Sequence, residues 1–464
     1  MNTAFSATDA ITWTGGALTA GADDALIAGV AIDSRTVARG GMFVAIAGPR
    51  HDGHDFLPQV IDAGAAALLV ARGRTLPELP ARVAAIAVDD TTLALGALAA
   101  GHRARFDGPL VGITGSNGKT TTKEMCAAIL SVGAPTLATR GNLNNHYGLP
   151  LTLLARTPAH RRAVVELGMN HRGEIAELAA IAKPTVAAVT NVGSAHVEYL
   201  GSCETIAAEK GDLIAALDAD GVAVINDADD FADTLAGRAP GRVLRFGRGE
   251  TADVRAQDVV SDDGAFCFTL RLPDASCEVR VAGLGETTIS NALCAAAAAF
   301  AAGSSVAEIA AGLASYHGVS GRLERRELPD GVVLIDDSYN ANPQSMEIAL
   351  RLLAGSGSGR RIAVLGDMGE LGETADQAHR EAGRLVANLG IDFLVAVGSH
   401  ADRVAEAARA AGMPAGRVRC VDTSDAAGAP VRSLARSGDW VLLKGSRSMR
   451  MERVGTHLEA EAHA

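Results

Sequence analysis

Short apolar runs, most of them ending in glycine, asparagine or a small polar residue, alternate with longer stretches whose apolar positions recur every three or four residues. The first pattern is that of buried strands and the second that of amphipathic helices. In the middle of the chain "LVGITG" (110–115), "AVVELGM" (163–169), "TVAAVTNV" (185–192) and "GVAVIN" (221–226) are strand-like. The stretches "TTTKEMCAAIL", "RGEIAELAAIA" and "CETIAAEKGDLIAAL" lie between them and have helical spacing. Strands alternating with helices predict a parallel, doubly wound sheet.

The flanks are built differently. Residues 1–91 carry the short strands "GGMFVAIAG" and "AALLVARG", with one helix predicted over "GHDFLPQVIDAGA". A linking helix, "TLALGALAAGHRARF", then leads into "LVGITG". Beyond the parallel series, "RVLRFGRG" to "CEVRVAG" reads as a patch of β structure closed by the helix "TTISNALCAAAAAFAAG". A second α/β series begins near residue 319, with "GVVLIDDSYNANP", "RIAVLGDMGELG", "FLVAVGS" and "DWVLLKGS". Ligands bind at such strand ends in open α/β sheets, so two sheets facing one cleft are expected. The fold class is α/β with three domains: a small α/β unit over 1–91, a central mostly parallel sheet over 92–318, and a Rossmann-like unit over 319–464.

Composition narrows the function. The 464 residues are too many for one core, and 48% of them are hydrophobic, enough to fill several. A net charge of −12 argues against a general nucleic-acid binder. No signal peptide is evident, and "LCAAAAAFAAG" is too short to span a bilayer, so no membrane span is expected. The six cysteines show no paired spacing, which points to reduced thiols and a cytoplasmic protein without a zinc site.

The chemistry starts at "GITGSNGKTTTKEM". A strand ends, a helix begins, and Gly115, Ser116, Asn117 and Gly118 between them allow backbone N–H groups to converge on an anion. Lys119 supplies charge to the terminal phosphates, and the Thr120 hydroxyl, with Thr121 beside it, faces Mg²⁺. The usual phosphate-loop pattern wants a further glycine where Ile113 stands, so this is a shortened form. It still marks an NTP site. No Asn-Lys-x-Asp tetrapeptide follows, which excludes an ordinary GTPase. Glu166, at the end of "AVVE", is placed for a metal; the bland alternative is a solvated carboxylate. His196 is equally well read as a metal ligand or as a structural histidine. By pattern alone Lys210 is a surface lysine.

The set "GITGSNGKTT", "GNLNNHYGLP", "VVELGMNHRGEI", "TNVGSAHVEYLGS…IAAEKGDL", "GR" at 321–322, "DDSYNANPQSM" and "LGDMGELG" resembles the Mur ligases, the ATP-dependent amino-acid-adding enzymes of bacterial cell-wall synthesis. The resemblance runs through essentially the whole chain. It implies that the first domain holds the UDP part of the acceptor, that the second binds ATP, and that the third closes over both. It also implies D-alanyl-D-alanine as the incoming group, UDP-N-acetylmuramoyl-tripeptide as acceptor, two Mg²⁺ ions and a monomer. Ser34 and Arg35 resemble the uridine-binding stretch, though a turn capped by Ser34 fits those two equally well. Asn142, Asn144 and Asn145 match the loop that touches sugar and diphosphate, with His171 and Arg172 reaching peptide or diphosphate. Lys210 matches the family's carbamylated lysine, a metal ligand together with Thr120, Glu166 and His196. Asn291 matches a position near adenine, with a helix N-cap as the competing role. Arg322, Asp337 and Asn340 match third-domain residues that reach ATP, while Lys444, Ser446 and Arg447 are weaker candidates for the dipeptide. The implied chemistry is phosphorylation of a carboxylate to an acyl phosphate, then attack by the dipeptide amine. A sibling ligase adding one amino acid, and a nucleotide-binding regulator without turnover, are the alternatives.

Overall fold

The computed structural model describes residues 5–193 and 197–462, and the architecture is α/β in three large sheets and a two-stranded antiparallel pair, Phe5–Ser6 with Leu26–Ile27. The first sheet has five strands, in the order Ala17–Ala20, Ala84–Val88, Ala67–Ala71, Met42–Val44 and Val30–Ala31, all parallel except the first. The helix expected over "GHDFLPQVIDAGA" is divided. A 3-10 turn, Gly53–Phe56, precedes a short α-helix, Leu57–Asp62. Pro58 starts the helix rather than continuing one, and Asp52 caps the turn through the His54 N–H.

The central sheet has nine strands. Thr136–Ala138, Arg162–Glu166, Leu110–Thr114, Val186–Val189, Val222–Asn226 and Arg242–Gly247 lie side by side and parallel. Val254–Asp262, Ala265–Leu272 and Ala275–Ala282 are not a separate patch. They extend the same sheet as an antiparallel meander, joined to Arg242–Gly247 by a short parallel pairing at Phe246 and Gly247. The alanine-rich helix Thr287–Ala301 packs across this region, with Ala292 and Ala295 to Ala299 fully buried. Methyl side chains let the helix lie close to the sheet, and that accounts for the apolar run without a membrane. Among the described residues no helix is long and apolar enough to cross one.

The third sheet orders its strands Glu324–Glu327, Val333–Asp337, Trp440–Lys444, Arg361–Gly366, Phe393–Val397 and Val418–Val421, parallel except for the first. The last strand in sequence, Trp440–Lys444, inserts between Val333–Asp337 and Arg361–Gly366. Asp337 and Lys444 are thereby register partners at the strand ends.

The helix Thr91–Arg103 joins the first sheet to the second. Arg103 donates to the carbonyls of Ala182 (2.8 Å) and Lys183 (2.8 Å), at the C-terminal end of the helix Glu174–Ala182. Beside it His102 is buried near Phe5 and Trp13, with Nδ1 3.1 Å from the Leu153 carbonyl. Burial, reinforced by the Arg156 guanidinium, pushes the His102 pKa down to about 4. The unfolded chain binds a proton there first, so this group's contribution to stability is complete above pH 6.5 and is lost as the pH falls from 6.5 towards 4. Between neutrality and pH 5 the loss from this group amounts to about 2 kcal/mol. The denaturation midpoint of His102→Gln is expected to fall less over that interval than that of the wild type. An equal fall in both would remove His102 as the cause.

Candidate active site

The order of the central sheet reverses about Leu110–Thr114, which lies between Arg162–Glu166 and Val186–Val189. This is the topological switch point, where an open α/β sheet leaves a crevice. The loop that leaves this strand turns on two glycines. At Gly115 (φ 152) an added Cβ would lie 1.8 Å from Thr190 Oγ1, and at Gly118 (φ 79) it would lie 2.3 Å from Asn291 Oδ1. Ile113, where the longer pattern wants glycine, is a buried strand residue, so the turn begins only at Gly115. The helix Lys119–Gly133 follows with no side-chain cap, leaving its first N–H groups to an anion. Lys119 Nζ folds back on the Gly115 carbonyl (2.7 Å). Burial lowers its pKa, opposed by the Glu166 carboxylate.

Glu166 is buried and held at both oxygens: Thr120 Oγ1 donates to one (2.9 Å) and Asn144 Nδ2 to the other (2.7 Å). Its own N–H donates to Thr139 Oγ1 (3.0 Å). A solvated carboxylate is thereby ruled out. Asn144 serves this carboxylate rather than standing free as a donor. Asn145 accepts from the N–H groups of Tyr147 (3.1 Å) and Gly148 (2.9 Å) at the start of the helix Gly148–Leu154, and Asn142 is exposed at the cleft. Lys210, expected at the surface from its pattern, is 1% exposed on the helix Cys203–Ala215. Burial, with the charge of Lys119 adding to it, drives its pKa well down. It lies near enough to feel the charge of Lys119, a neighbourhood that no helical period reveals. His196 lies outside the described residues.

The third sheet supplies the opposite wall. Asp337 Oδ2 pairs with Lys444 Nζ (2.5 Å), Asp337 Oδ1 accepts from the Leu323 N–H (3.2 Å), and Lys444 also donates to the Asn340 carbonyl (3.0 Å). Lys444, expected to meet the dipeptide, is thus a buried partner of Asp337; burial raises the Asp337 pKa and the ammonium opposes that. Arg322 lies over the Tyr339 ring at 4.1 Å. Ser446 and Arg447 line the cleft, with Arg447 also paired to Glu452 (2.8 Å). Asn291 sits inside its helix, not at the cap, and its Oδ1 accepts from Thr122 Oγ1 (3.3 Å). No local pattern foretells that Asn117 bridges the walls, accepting from Asn342 Nδ2 (2.9 Å) and donating to Gln344 Oε1 (2.8 Å). Only the capping role of Asn342, ahead of Pro343, has a local signal.

One cleft of about 990 Å³ gathers Ser116 to Thr121, Asn142, Asn144, Asn145, Glu166, Asn291, Arg322, Asp337, Asn340, Lys444, Ser446 and Arg447. Among the described residues, six expected ones are not in its lining: Gly115, Lys210, Ser34, Arg35, His171 and Arg172. Ser34 is 3.4 Å from Gln59 Oε1, and Arg35 pairs with Asp33 at an exposed turn (2.6 Å). His171 packs on Tyr199, and Arg172 donates to the Leu200 carbonyl (3.5 Å).

Three family models match in succession: "Mur ligase family, catalytic domain" over residues 26–103, "Mur ligase middle domain" over 113–299, and "Mur ligase, glutamate ligase domain" over 321–447. The UDP-N-acetylmuramoyl-tripeptide--D-alanyl-D-alanine ligase of Escherichia coli strain K12 is 38% identical over 94% of this chain and 94% of its own length. The chain belongs to the Mur ligase family. Its fold agrees with that assignment. A crystal structure of MurF from Acinetobacter baumannii superposes with a TM-score of 0.90 at 35% identity, covering 99% of both chains. MurF ligase from Thermotoga maritima, solved in complex with ADP, gives a TM-score of 0.80 at 30% identity, over 94% of this chain and 98% of that one.

The turn at Gly118 has no room for a side chain. Gly118→Ala is expected to lower ADP affinity at least about tenfold, because a methyl at φ 79 meets the Asn291 amide. Calorimetric titration of ADP checks this, and unchanged affinity would show that the loop does not hold the nucleotide.

Proposed function

We propose that this Mur ligase joins D-alanyl-D-alanine to UDP-N-acetylmuramoyl-tripeptide with ATP, giving the pentapeptide precursor of peptidoglycan, ADP and phosphate. The observation that carries the reading is the cleft in which an uncapped phosphate loop and a clamped Glu166 face the Asp337–Lys444 wall, with the buried Lys210 close enough to Lys119 to feel its charge. The full-length relatives bear the name of that reaction, and the ADP complex of one supports nucleotide use. In this reading residues 1–91 hold the UDP moiety, 92–318 bind ATP, and 319–464 close on ATP and receive the dipeptide. Ser34 and Arg35 serve the first of these roles, and His171 and Arg172 the acceptor, as elements outside the cleft lining. ATP and UDP-linked substrates place the enzyme in the cytoplasm, as a monomer.

The donor set suits Mg²⁺: a hydroxyl and a carboxylate are hard oxygen ligands, and both are already held in place at Thr120 and Glu166. When bound, Mg²⁺ offsets charge on the transferring phosphoryl group. An ammonium at Lys210 cannot be a ligand, but its burial favours the neutral amine, which adds to CO₂ with loss of a proton to give an anionic carbamate. Together with His196 that carbamate would hold a second ion. The protein's own residues position the groups. The first-turn N–H groups and Lys119 hold the phosphates, and Arg322 approaches the γ-phosphate from the other wall. The acceptor carboxylate attacks that phosphorus, ADP leaves, and the acyl phosphate forms with phosphate as its latent leaving group. The free amine of the dipeptide then attacks the acyl carbon, loses a proton and expels phosphate. Closure of the two walls keeps water from the acyl phosphate.

Phosphate release with ATP, Mg²⁺ and the tripeptide acceptor is expected to depend on D-alanyl-D-alanine, with the product heavier by that dipeptide in mass spectrometry. Dependence on a single amino acid would move the enzyme to a sibling step, and ADP binding without release would leave a regulator. Lys210→Ala is expected to lose more than about a hundredfold in kcat and to recover in part with added short carboxylates. Undiminished turnover would remove Lys210 from the chemistry.

A further inference from the structure

Asp367, His379 and His400 converge at the end of the strand Arg361–Gly366, within metal-ligating reach of one another. A metal does not suit them. The Met368 backbone N–H, which can only donate, points at His379 Nε2 (2.9 Å), so that nitrogen carries the lone pair and has spent it. Nδ1 therefore carries the proton, and it donates to the Ala375 carbonyl (2.6 Å). His379 is a neutral imidazole with both nitrogens committed, 2% exposed.

We propose that His379 is a positioning residue: in its neutral Nδ1–H form it pins the loop Asp367–Leu371 against the helix Ala375–Asn388, so that this loop can form part of the cleft. The loop has no regular structure after Gly366, yet Gly369, Glu370 and Leu371 line the cleft. The remaining bonds make it a junction. The Asp367 carboxylate accepts from the N–H (2.9 Å) and hydroxyl (2.7 Å) of Ser399 and from the His400 N–H (3.0 Å). The Asp367 carbonyl accepts from the Ser446 N–H (2.9 Å), so the Ser446–Ser448 segment of the cleft hangs on the same residue.

Protonation would undo the pin, because Nε2–H cannot accept from Met368. The groups facing the ring are Asp367 (4.0 Å from Nε2), Asp376, itself bonded by Arg403, and His400, stacked on His379 at 4.1 Å and 11°. The two carboxylates favour the cation, while burial and the His400 ring oppose it, and the net direction is a lowered pKa. The pinned state therefore persists through the ordinary histidine pKa of 6.5 and is lost only as the pH falls through the lowered value of His379 itself. On the proposed reaction, which this step assumes, the loosened wall is the one that receives the dipeptide.

Two variants test this in the full-length enzyme. His379→Phe keeps the bulk and removes the acceptor. It is expected to speed amide exchange in the 366–372 segment at neutral pH and to raise KM for D-alanyl-D-alanine at least about tenfold, with KM for ATP within about twofold. His379→Gln keeps an acceptor that cannot charge, so it is expected to restore slow exchange and KM and to flatten the acid limb of the KM profile. Wild-type exchange and KM in His379→Phe would overturn the proposal. So would an unchanged acid limb in His379→Gln, which decides the matter even if the phenylalanine variant fails to fold. Altered exchange in a protein that shows no dipeptide-dependent turnover would leave the pin standing and refute the proposed reaction instead.

Discussion

There is no room for a side chain at either end of the Gly115–Gly118 turn, and the rest of the cleft is built against that close approach. At one end the backbone meets Thr190, which itself donates to the Asn117 carbonyl (2.6 Å); at the other it meets the Asn291 amide. Two neighbouring elements, the end of Val186–Val189 and the helix Thr287–Ala301, therefore fix the loop without filling it. What is left open at the helix N-terminus is a set of N–H groups with no partner of their own. Such a terminus favours an anion before any cation is counted.

Charge is arranged around that opening at a cost. Lys119 and Lys210 lie close enough to repel and are removed from water, and both are driven towards the neutral form. A lysine that can lose its proton can become a carbamate, while one facing phosphate regains its charge from the ligand. Glu166 is treated in the opposite way: three hydrogen bonds to its side chain and N–H hold it still. A carboxylate held in that way is preorganised, and preorganisation is what the proposed phosphoryl transfer requires of the protein.

The second wall is tied to the first through amides at the cleft and through an ion pair further out. Asn117 meets Asn342 and Gln344 across the cleft, and Asp263 meets Arg325 (2.9 Å) further out. The neutral amide bonds and the exposed ion pair are each individually modest, and both can be exchanged for water or ligand. Within the wall the opposite holds. Asp337 and Lys444 are adjacent strand ends with a direct ion pair, and Asp367 and His379 hold the next strand's loop. The hinge-like boundary is soft and the wall itself is firm, as two domains that open and close around substrates require.

The phosphate loop, the α/β class and the order of the three units were legible in the sequence, because local period and glycine placement specify them without reference to distant residues. Glu166 was legible for the same reason: a carboxylate at the end of an apolar strand beside a phosphate loop has few other uses. The motif set also carried the family. What local pattern could not reveal depends on which strands become neighbours. The β meander joined the central sheet because its first strand found the edge of Arg242–Gly247. Lys444 became the partner of Asp337 because the last parallel strand inserted beside the first, 107 residues away in sequence. Lys210 looked like any helical lysine until its helix was packed into the interior, where burial and Lys119 change its chemistry. The sequence by itself determined the loop that binds an anion and the residue types around it. The packing of distant strands and helices decided which of those residues would share a low-dielectric cleft, and burial there sets their charge.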